Sequence, residues 1–464
     1  MAIVYPQNYN QTIKSLLFLV VVGFVLGAGN IARAQDLSAD KSQLNPISLQ
    51  QALQMAHRHN LDLRSAEADV DIAHSGYHIT RSVFLPQISV EETAVSTNDP
   101  LNVFGFKLKQ EQVSNADFNP SLLNNPDHFE NFNTKIQVQQ PLFNADGYLK
   151  RSAMKKRVKA AEAGYDRTRY YTDYQVKKSY FGLILARKNL NVVDSALVAA
   201  KQNEEQAQNY FNQGIINKAD YLSARVRVLD LEQRKVQVED QVGEQEDHLA
   251  YLIGMKDGNK PLPSDPLTML PVQTDISPDL QQINSNRSDM LALQHQIDAY
   301  QKQLRASQFS YLPSLNLFGS YEWNDDVLVG NQGENYMVGA TLKWNLFKGF
   351  QNAGTIQKTK AQLNKAQLAY QNQSEKNKIE IQKALRKLTQ LRKQINLVSQ
   401  SREQAAENLK IRSDRYQQGM EKTTDLLNAE VNLSQAKLKY VQTIYQYNMT
   451  VFTLELLLEK PVTR

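Results

Sequence analysis

Two spacings of apolar residues alternate along this chain. In the second half, Leu315, Leu317, Tyr321 and Trp323, and then Tyr336, Val338, Ala340, Leu342, Trp344 and Leu346, fall at every second position. Thr341, Lys343 and Asn345 lie between them. In the first half Ile136, Val138 and Leu142 alternate with Lys135, Gln137 and Gln139, and Ile88, Val90 and Ala94 show the pattern more weakly. A period of two puts the apolar set on one face of a β-strand. Each run is about 9–11 residues, the length of a tilted strand that crosses a bilayer. Two soluble hairpins with one wet face would give the same period.

Elsewhere the period lengthens. Ile381, Leu385, Leu388, Ile395, Val398, Ala405, Leu409 and Tyr416 follow steps of three and four, and Arg402 and Arg412 fill two positions of the stripe. Such a repeat predicts helices wound in a left-handed coiled coil. No proline occurs between Pro141 and Pro261 or between Pro313 and Pro461, and proline costs about 3 kcal/mol inside a helix. Long helices are therefore expected over 144–212 and 349–417, each about 100 Å at 1.5 Å per residue. The first carries Tyr170, Tyr171, Tyr174 and Tyr180 on or near one face.

The two long stretches are related. Phe211-Asn212-Gln213-Gly214 matches Tyr416-Gln417-Gln418-Gly419, and Asp220, Leu222 and Ala224 match Asp425, Leu427 and Ala429 at the same offset. Leu85-Pro86 likewise matches Leu312-Pro313. The chain reads as a tandem duplication. A first repeat over 35–253 has a hairpin at about 87–142 and a helical turn at 211–220. An inter-repeat segment follows over 254–277. A second repeat over 278–460 has a hairpin at about 314–347 and a turn at 416–425. Each repeat opens with a shorter helix, over about 47–84 and 278–311. The first holds extra residues in the polar, proline-containing segment Asn98–Asn125.

Lys14, the apolar run Leu16–Val25 and Ala32-Arg33-Ala34 read as a secretory leader over 1–34. The apolar run is too short for a membrane anchor, which needs roughly 20 residues. No later stretch is long and apolar enough for a membrane helix, so any crossing is by β-strands. The absence of cysteine excludes disulfides, thiol catalysis and an acylated N-terminal cysteine. The formal charge of +5, two units of it in the leader, is too small to suggest nucleic acid. The fold class is thus an α+β membrane protein, mostly long coiled-coil hairpins, with four transmembrane strands per subunit. Four strands cannot close a barrel, and an open edge in lipid leaves unpaired backbone groups. Copies must pool their strands, and a conducting pore favours three or more copies, since eight strands leave an interior filled by side chains.

The paired Phe/Tyr-x-x-Gly-x5-Asp-x-Leu-x-Ala pattern, at Phe211–Ala224 and Tyr416–Ala429, resembles the helix-turn signature of the TolC outer-membrane efflux family. So does the opening segment from Ser48-Leu49-Gln50-Gln51-Ala52-Leu53 through Asn60-Leu61-Asp62-Leu63 to Leu85-Pro86. The resemblance covers about residues 47–459. It implies a homotrimer, with a 12-strand barrel in outer-membrane lipid and a 12-helix tunnel across the periplasm. It also implies docking to a periplasmic adaptor (membrane fusion protein) and an inner-membrane pump, with export by efflux or type I secretion. The turns at Phe211, Gly214 and Asp220 and at Tyr416 and Gly419 would be the periplasmic tips. Asp425 would line the constriction as a ring of three carboxylates. Asn428 stands where the family often has a second acid, and Glu421 where it often has a basic gate residue. Helix capping is the plainer role for Asp220 and Asp425. Trp323 and Trp344 are expected in an interfacial aromatic girdle.

Other chemistry is weakly signalled. His74 and His78, with Asp71 a turn earlier, have a spacing that can hold zinc, but nothing completes a ligand set, and His57 and His59 do not share a face. No nucleophile motif, phosphate loop or catalytic carboxylate pair stands out, so neither enzyme nor cofactor is expected. The competing reading is a periplasmic coiled-coil adaptor that never enters lipid.

Overall fold

The computed structural model describes residues 46–255, 259–272 and 285–462. The expected leader lies outside them, as does residue 278, where the second short helix is expected to begin. The chain enters through β1 (Pro46–Ile47), α1 (Leu49–His59) and α2 (Leu61–Ile79). Ser48 and Gln51 form a capping box that starts α1. One helix is expected over 47–84, but the structure breaks it at Asn60. This asparagine is buried, donates from its amide to Leu252 O at 3.0 Å and accepts from Leu63 N at 3.1 Å. Closing α1 onto the core and capping α2 at one residue requires its extended backbone.

The first hairpin is β2 (Gln87–Thr97) and β3 (Phe129–Phe143), and its connection contains α3 (Pro100–Lys109) and α4 (Pro120–Asn124). The long α5 (Ala145–Asn212) runs for 68 residues, and α6 (Lys218–Ile253) returns over 36. A short strand, β4 (Leu262–Pro263), pairs in parallel with β1. Then come α7 (Ser288–Phe309), a second hairpin of β5 (Ser314–Asp325) and β6 (Gly333–Lys343), the 67-residue α8 (Gln351–Gln417) and the 36-residue α9 (Thr423–Leu458).

Helix packing follows the stripes. Ile381, Leu388 and Ile395 of α8 are buried against Tyr447, Val451 and Leu454 of α9. Of the two arginines that interrupt the stripe, Arg402 lies with its guanidinium 4.3 Å from the centre of the Tyr440 ring, a cation–π contact that leaves its stem on the apolar seam. A second core joins Val176, Tyr180, Phe181 and Ile184 of α5 to Ala52 and Ala56 of α1, Leu249 and Ile253 of α6, and Phe452 of α9. At its edge the Tyr180 hydroxyl lies 2.7 Å from Ile47 O and 2.5 Å from Asp265 Oδ2, which fixes β1 and the segment after β4. Burial and the neighbouring carboxylate push this phenol up to about 12. The tyrosines of α5 do not share one environment, since Tyr180 is fully buried and Tyr171 is 49% exposed.

The two hairpins form one antiparallel sheet in the order β2-β3-β5-β6. The pairing of β3 with β5 joins the two halves of the chain. Among the described residues, β2 and β6 each pair on one side only, and nearly every residue of either strand is exposed.

Candidate functional site

The sheet separates its side chains sharply. The register aligns Val90, Ile136, Tyr321 and Tyr336 in one row, and Ile88, Val138, Gly319 and Val338 in the next row of the same face. Both rows lack charge. The opposite face carries Glu91, Lys135, Glu322 and Asn335 in one row. Val338 at 78%, Tyr336 at 79% and Val90 at 69% are exposed, a continuous apolar surface larger than single scattered residues make.

The tryptophans bracket this surface at two levels. Trp323 pairs with Glu334 near the loop end of the second hairpin, in a row with Thr134 and Glu92. The Glu92 carboxylate accepts a hydrogen bond from the Thr134 hydroxyl there. Trp344 follows the last strand pair, Ser314 with Lys343, at the opposite end, and its indole donates to Tyr311 O at 2.9 Å. Nine residues separate Ser314 from Trp323, about 30 Å along a strand. At the 35–45° tilt of barrel strands this rises by roughly 23 Å, close to the ~25 Å apolar band of outer-membrane barrels.

The other end of each half is a helical turn, and the two turns share two backbone hydrogen bonds at equivalent positions. Gly214 N donates to Phe211 O and Ile215 N to Tyr210 O, as Gly419 N donates to Tyr416 O and Met420 N to Arg415 O. The φ angles are +73° at Gly214 and +72° at Gly419. Nothing lies within 4 Å of a Cβ built at either, so glycine serves the left-handed backbone here, not a lack of space. Phe211 stacks on Tyr221 at 6.0 Å. Tyr416 is buried, 5.8 Å from the Tyr210 ring and 3.3 Å from the Thr423 hydroxyl. Tyr210 in turn donates to Gln417 O at 3.2 Å. The two turns are thus bound to each other through an aromatic pair. Burial raises the Tyr416 phenol above its ordinary value, against the opposing hydrogen bond with Thr423.

Neither acid caps its helix with its side chain. Asn217 is the N-cap of α6 and accepts from Asp220 N at 2.9 Å, while Lys422 precedes α9 without a side-chain cap bond. Asp220 and Asp425 sit in the first turns, where a carboxylate opposes the helix dipole.

At the second turn Glu421 is clamped. Its carboxylate is 2.8 Å from Arg412 Nη1 and 3.1 Å from Arg415 Nε, and its side chain is only 11% exposed. Arg412 also lies 3.8 Å from Asp425 Oδ2. The second arginine of the α8 stripe therefore holds one acid of the turn itself, Glu421, and approaches one in the first turn of α9, Asp425. Asn428, one turn beyond Asp425, is exposed.

A buried acid escaped the sequence reading. Glu430 of α9 is buried next to Asn203 of α5, whose amide donates to it, and near Arg227 of α6. Burial pushes its carboxyl up to about 7, against the smaller opposing effects of Arg227 and Asn203. Its signal was positional: an acid one residue after buried Ala429 and four after buried Leu426, on the apolar stripe of its own helix.

The histidines are dispersed. His57 Nε2 lies 2.5 Å from Asp173 and His74 Nε2 3.5 Å from Glu162. Among the described residues no group of three His, Cys, Asp or Glu side chains could hold a metal ion, and no helix is long and apolar enough to cross a membrane.

Comparison with known proteins agrees with these features. The family described as outer membrane efflux protein matches residues 52–255 and 280–459. Outer membrane protein OprJ of Pseudomonas aeruginosa is 21% identical over 414 residues, covering 87% of this chain and 83% of that protein. Outer membrane protein TolC of Vibrio cholerae is 21% identical over 429 residues, covering 88% and 91%. The CmeC outer membrane channel of Campylobacter jejuni has the same fold, with a TM-score of 0.78 over 94% of each chain at 18% identity.

Proposed function

The chain belongs to the outer membrane efflux protein family, and on that premise we propose that it is the exit duct of a tripartite exporter. Three copies would pool four strands each into a 12-strand barrel in outer-membrane lipid, continued by a 12-helix tunnel across the periplasm. The duct would be passive and not enzymatic. A periplasmic adaptor would dock it to an inner-membrane pump, which selects the cargo and supplies the energy for efflux or type I secretion. The leader over 1–34 directs export, and the two repeats, 35–253 and 278–460, each supply one hairpin and one tip.

One observation carries this reading: a sheet with an exposed apolar face ends in two strands, β2 and β6, whose outer edges have no partner among the described residues. In lipid each unpaired backbone group costs several kcal/mol, so a neighbour must take both edges. Because the sheet has four antiparallel strands, β6 of one copy runs antiparallel to β2 of the next, and a closed ring keeps one pairing pattern throughout. Trp323 and Trp344 would then form two girdles, at the outer and periplasmic interfaces. An adaptor that stays in the periplasm would leave this apolar face in water.

The helical turns would form the inner end of the duct. Asp425 of three copies sets three carboxylates around the axis, a ring that attracts cations, with Asn428 weakening it one turn further along. Tyr210, through Tyr416 and Gln417, holds the second turn against the first, and the clamp on Glu421 ties the end of α8 to the turn that follows it. Opening the tip requires those contacts to part.

The test is the mass and outline of the protein extracted from outer membranes, by light scattering and negative-stain imaging. The expected particle is a three-subunit cylinder much longer than wide. A monomer that is soluble without detergent would overturn the reading.

A further inference from the structure

The β2–β3 connection, residues 98–128, turns onto the polar face of its own sheet. Lys109 Nζ, at the end of α3, lies 3.0 Å from Glu322 Oε1. The Gln110 amide donates to Asn131 Oδ1 at 2.9 Å, to Glu130 O at 3.0 Å and to Asp325 O at 3.0 Å. Asn131 donates in turn to Asn324 at 3.2 Å. The register places Asn131, Glu322 and Asn324 on the face opposite Trp323. Gln110 and Asn324 are fully buried there, and Asn131 is 2% exposed. Gln112 also reaches Gln332 in the β5–β6 loop, at 3.1 Å. The approach is close enough that a Cβ at Gly333 would sit 1.8 Å from Lys109 O.

These contacts, all from the C-terminal end of α3, reach β3, β5 and the start of β6, whereas α3 begins three residues after β2 ends. The ten residues of α3 span about 15 Å, and three strand spacings span about 14 Å. The helix therefore crosses the width of its own sheet, at the end that carries Trp323. If the apolar face meets lipid, the face that holds α3 is the lumen. Twelve strands tilted at about 40° make a ring of roughly 24 Å in backbone diameter. Three helices about 10 Å wide laid inside it take up most of the opening.

We propose that residues 98–128 form a collar folded into the outer mouth of the barrel, which limits the size of solutes passing between the lumen and the exterior. The proposal rests on the trimeric outer-membrane reading above. Lys109 and Gln110 are the fasteners, and Gly333 is the seat. The collar acts at the opposite end of the duct from the helical turns, so it excludes large molecules even while the tips are open.

The chain has no cysteine, which makes single-cysteine labelling on intact cells clean. Ser320→Cys reports the lumen two residues below Glu322 on the same face, and Leu328→Cys reports the exposed outer loop. Each is made in the native background, with Lys109→Ala/Gln110→Ala, and with Gly333→Ala. A small maleimide is expected to label both cysteines in every background. A maleimide carrying a bulky polyethylene glycol chain is expected to label Leu328→Cys throughout. It should label Ser320→Cys only where the fasteners or the seat have been changed. The collar is overturned if the polymer labels Ser320→Cys equally with the native insert, or if even the small reagent never reaches it. If Leu328→Cys is labelled by neither reagent, the outer-membrane placement itself fails.

Discussion

Glu421 and Arg412 meet across a helical turn, nine residues apart, with a carboxylate oxygen 2.8 Å from the guanidinium Nη1. The same arginine occupies a position where the coiled-coil stripe of α8 calls for an apolar side chain. Arg412 and Arg415 face Glu421 and Asp425, so the charges of this turn balance within one subunit.

Breaking that pair should loosen the tip. A charge-assisted hydrogen bond with one nearly buried partner is worth about 1.5–3 kcal/mol, reduced here because Arg412 is partly exposed. Glu421→Gln is expected to shift the closed–open balance toward open by about tenfold, the equivalent of 1.4 kcal/mol. Single-channel recording in planar bilayers reads this as a higher open fraction. Arg412→Gln should do the same, and the double variant should add little to either. Full additivity would show that the two residues act separately.

The Asp425 ring is tested by its charge. Asp425→Asn is expected to abolish block by a trivalent cation added from the periplasmic side, while Asn428→Asp tightens it. Unchanged block in Asp425→Asn would place the constriction elsewhere.

The apolar band sets a depth rule. Arginine at Val338, midway between the tryptophan levels, is expected to cost about 2–4 kcal/mol in assembly, against about 0–1 kcal/mol for arginine at Glu334. Urea titration of trimer folding into vesicles measures both. Equal costs would mean that the face between Trp323 and Trp344 is not in lipid.

Glu430 couples stability to pH. Its carboxyl is raised to about 7 in the fold, so the folded state holds the proton more tightly than the unfolded chain does. The resulting stabilisation is complete below the ordinary carboxylate range and is lost as pH rises through about 7. Glu430→Gln keeps a neutral side chain at every pH. Thermal unfolding in detergent should show it more stable than the native protein at pH 8, by on the order of 2 kcal/mol, and equal to it near pH 4. A constant difference between those pH values would remove Glu430 as the cause.

The strands, long helices and turns were legible in the sequence because each is set by neighbours. Alternation at Tyr336, Val338 and Ala340 fixes which side chains share a face, a missing proline lets a helix run on, and Gly214 and Gly419 meet a left-handed backbone requirement within the turn itself. Asp425, Asn428 and Glu421 could be named from the sequence only as positions, not as contacts: that Glu421 is held by Arg412 and Arg415 depends on how the chain turns at the end of α8.

The same limit applies across the two halves. The β3–β5 pairing, the separation of Trp323 and Trp344 into two levels, the approach of Asn203 to Glu430 and the folding of α3 onto the polar face all join residues distant in the chain. Local periodicity gives the direction of a side chain from its own element. Its partner is settled only when elements pack and buried donors must find acceptors, as the Gln110 amide nitrogen does with Asn131 and Asp325.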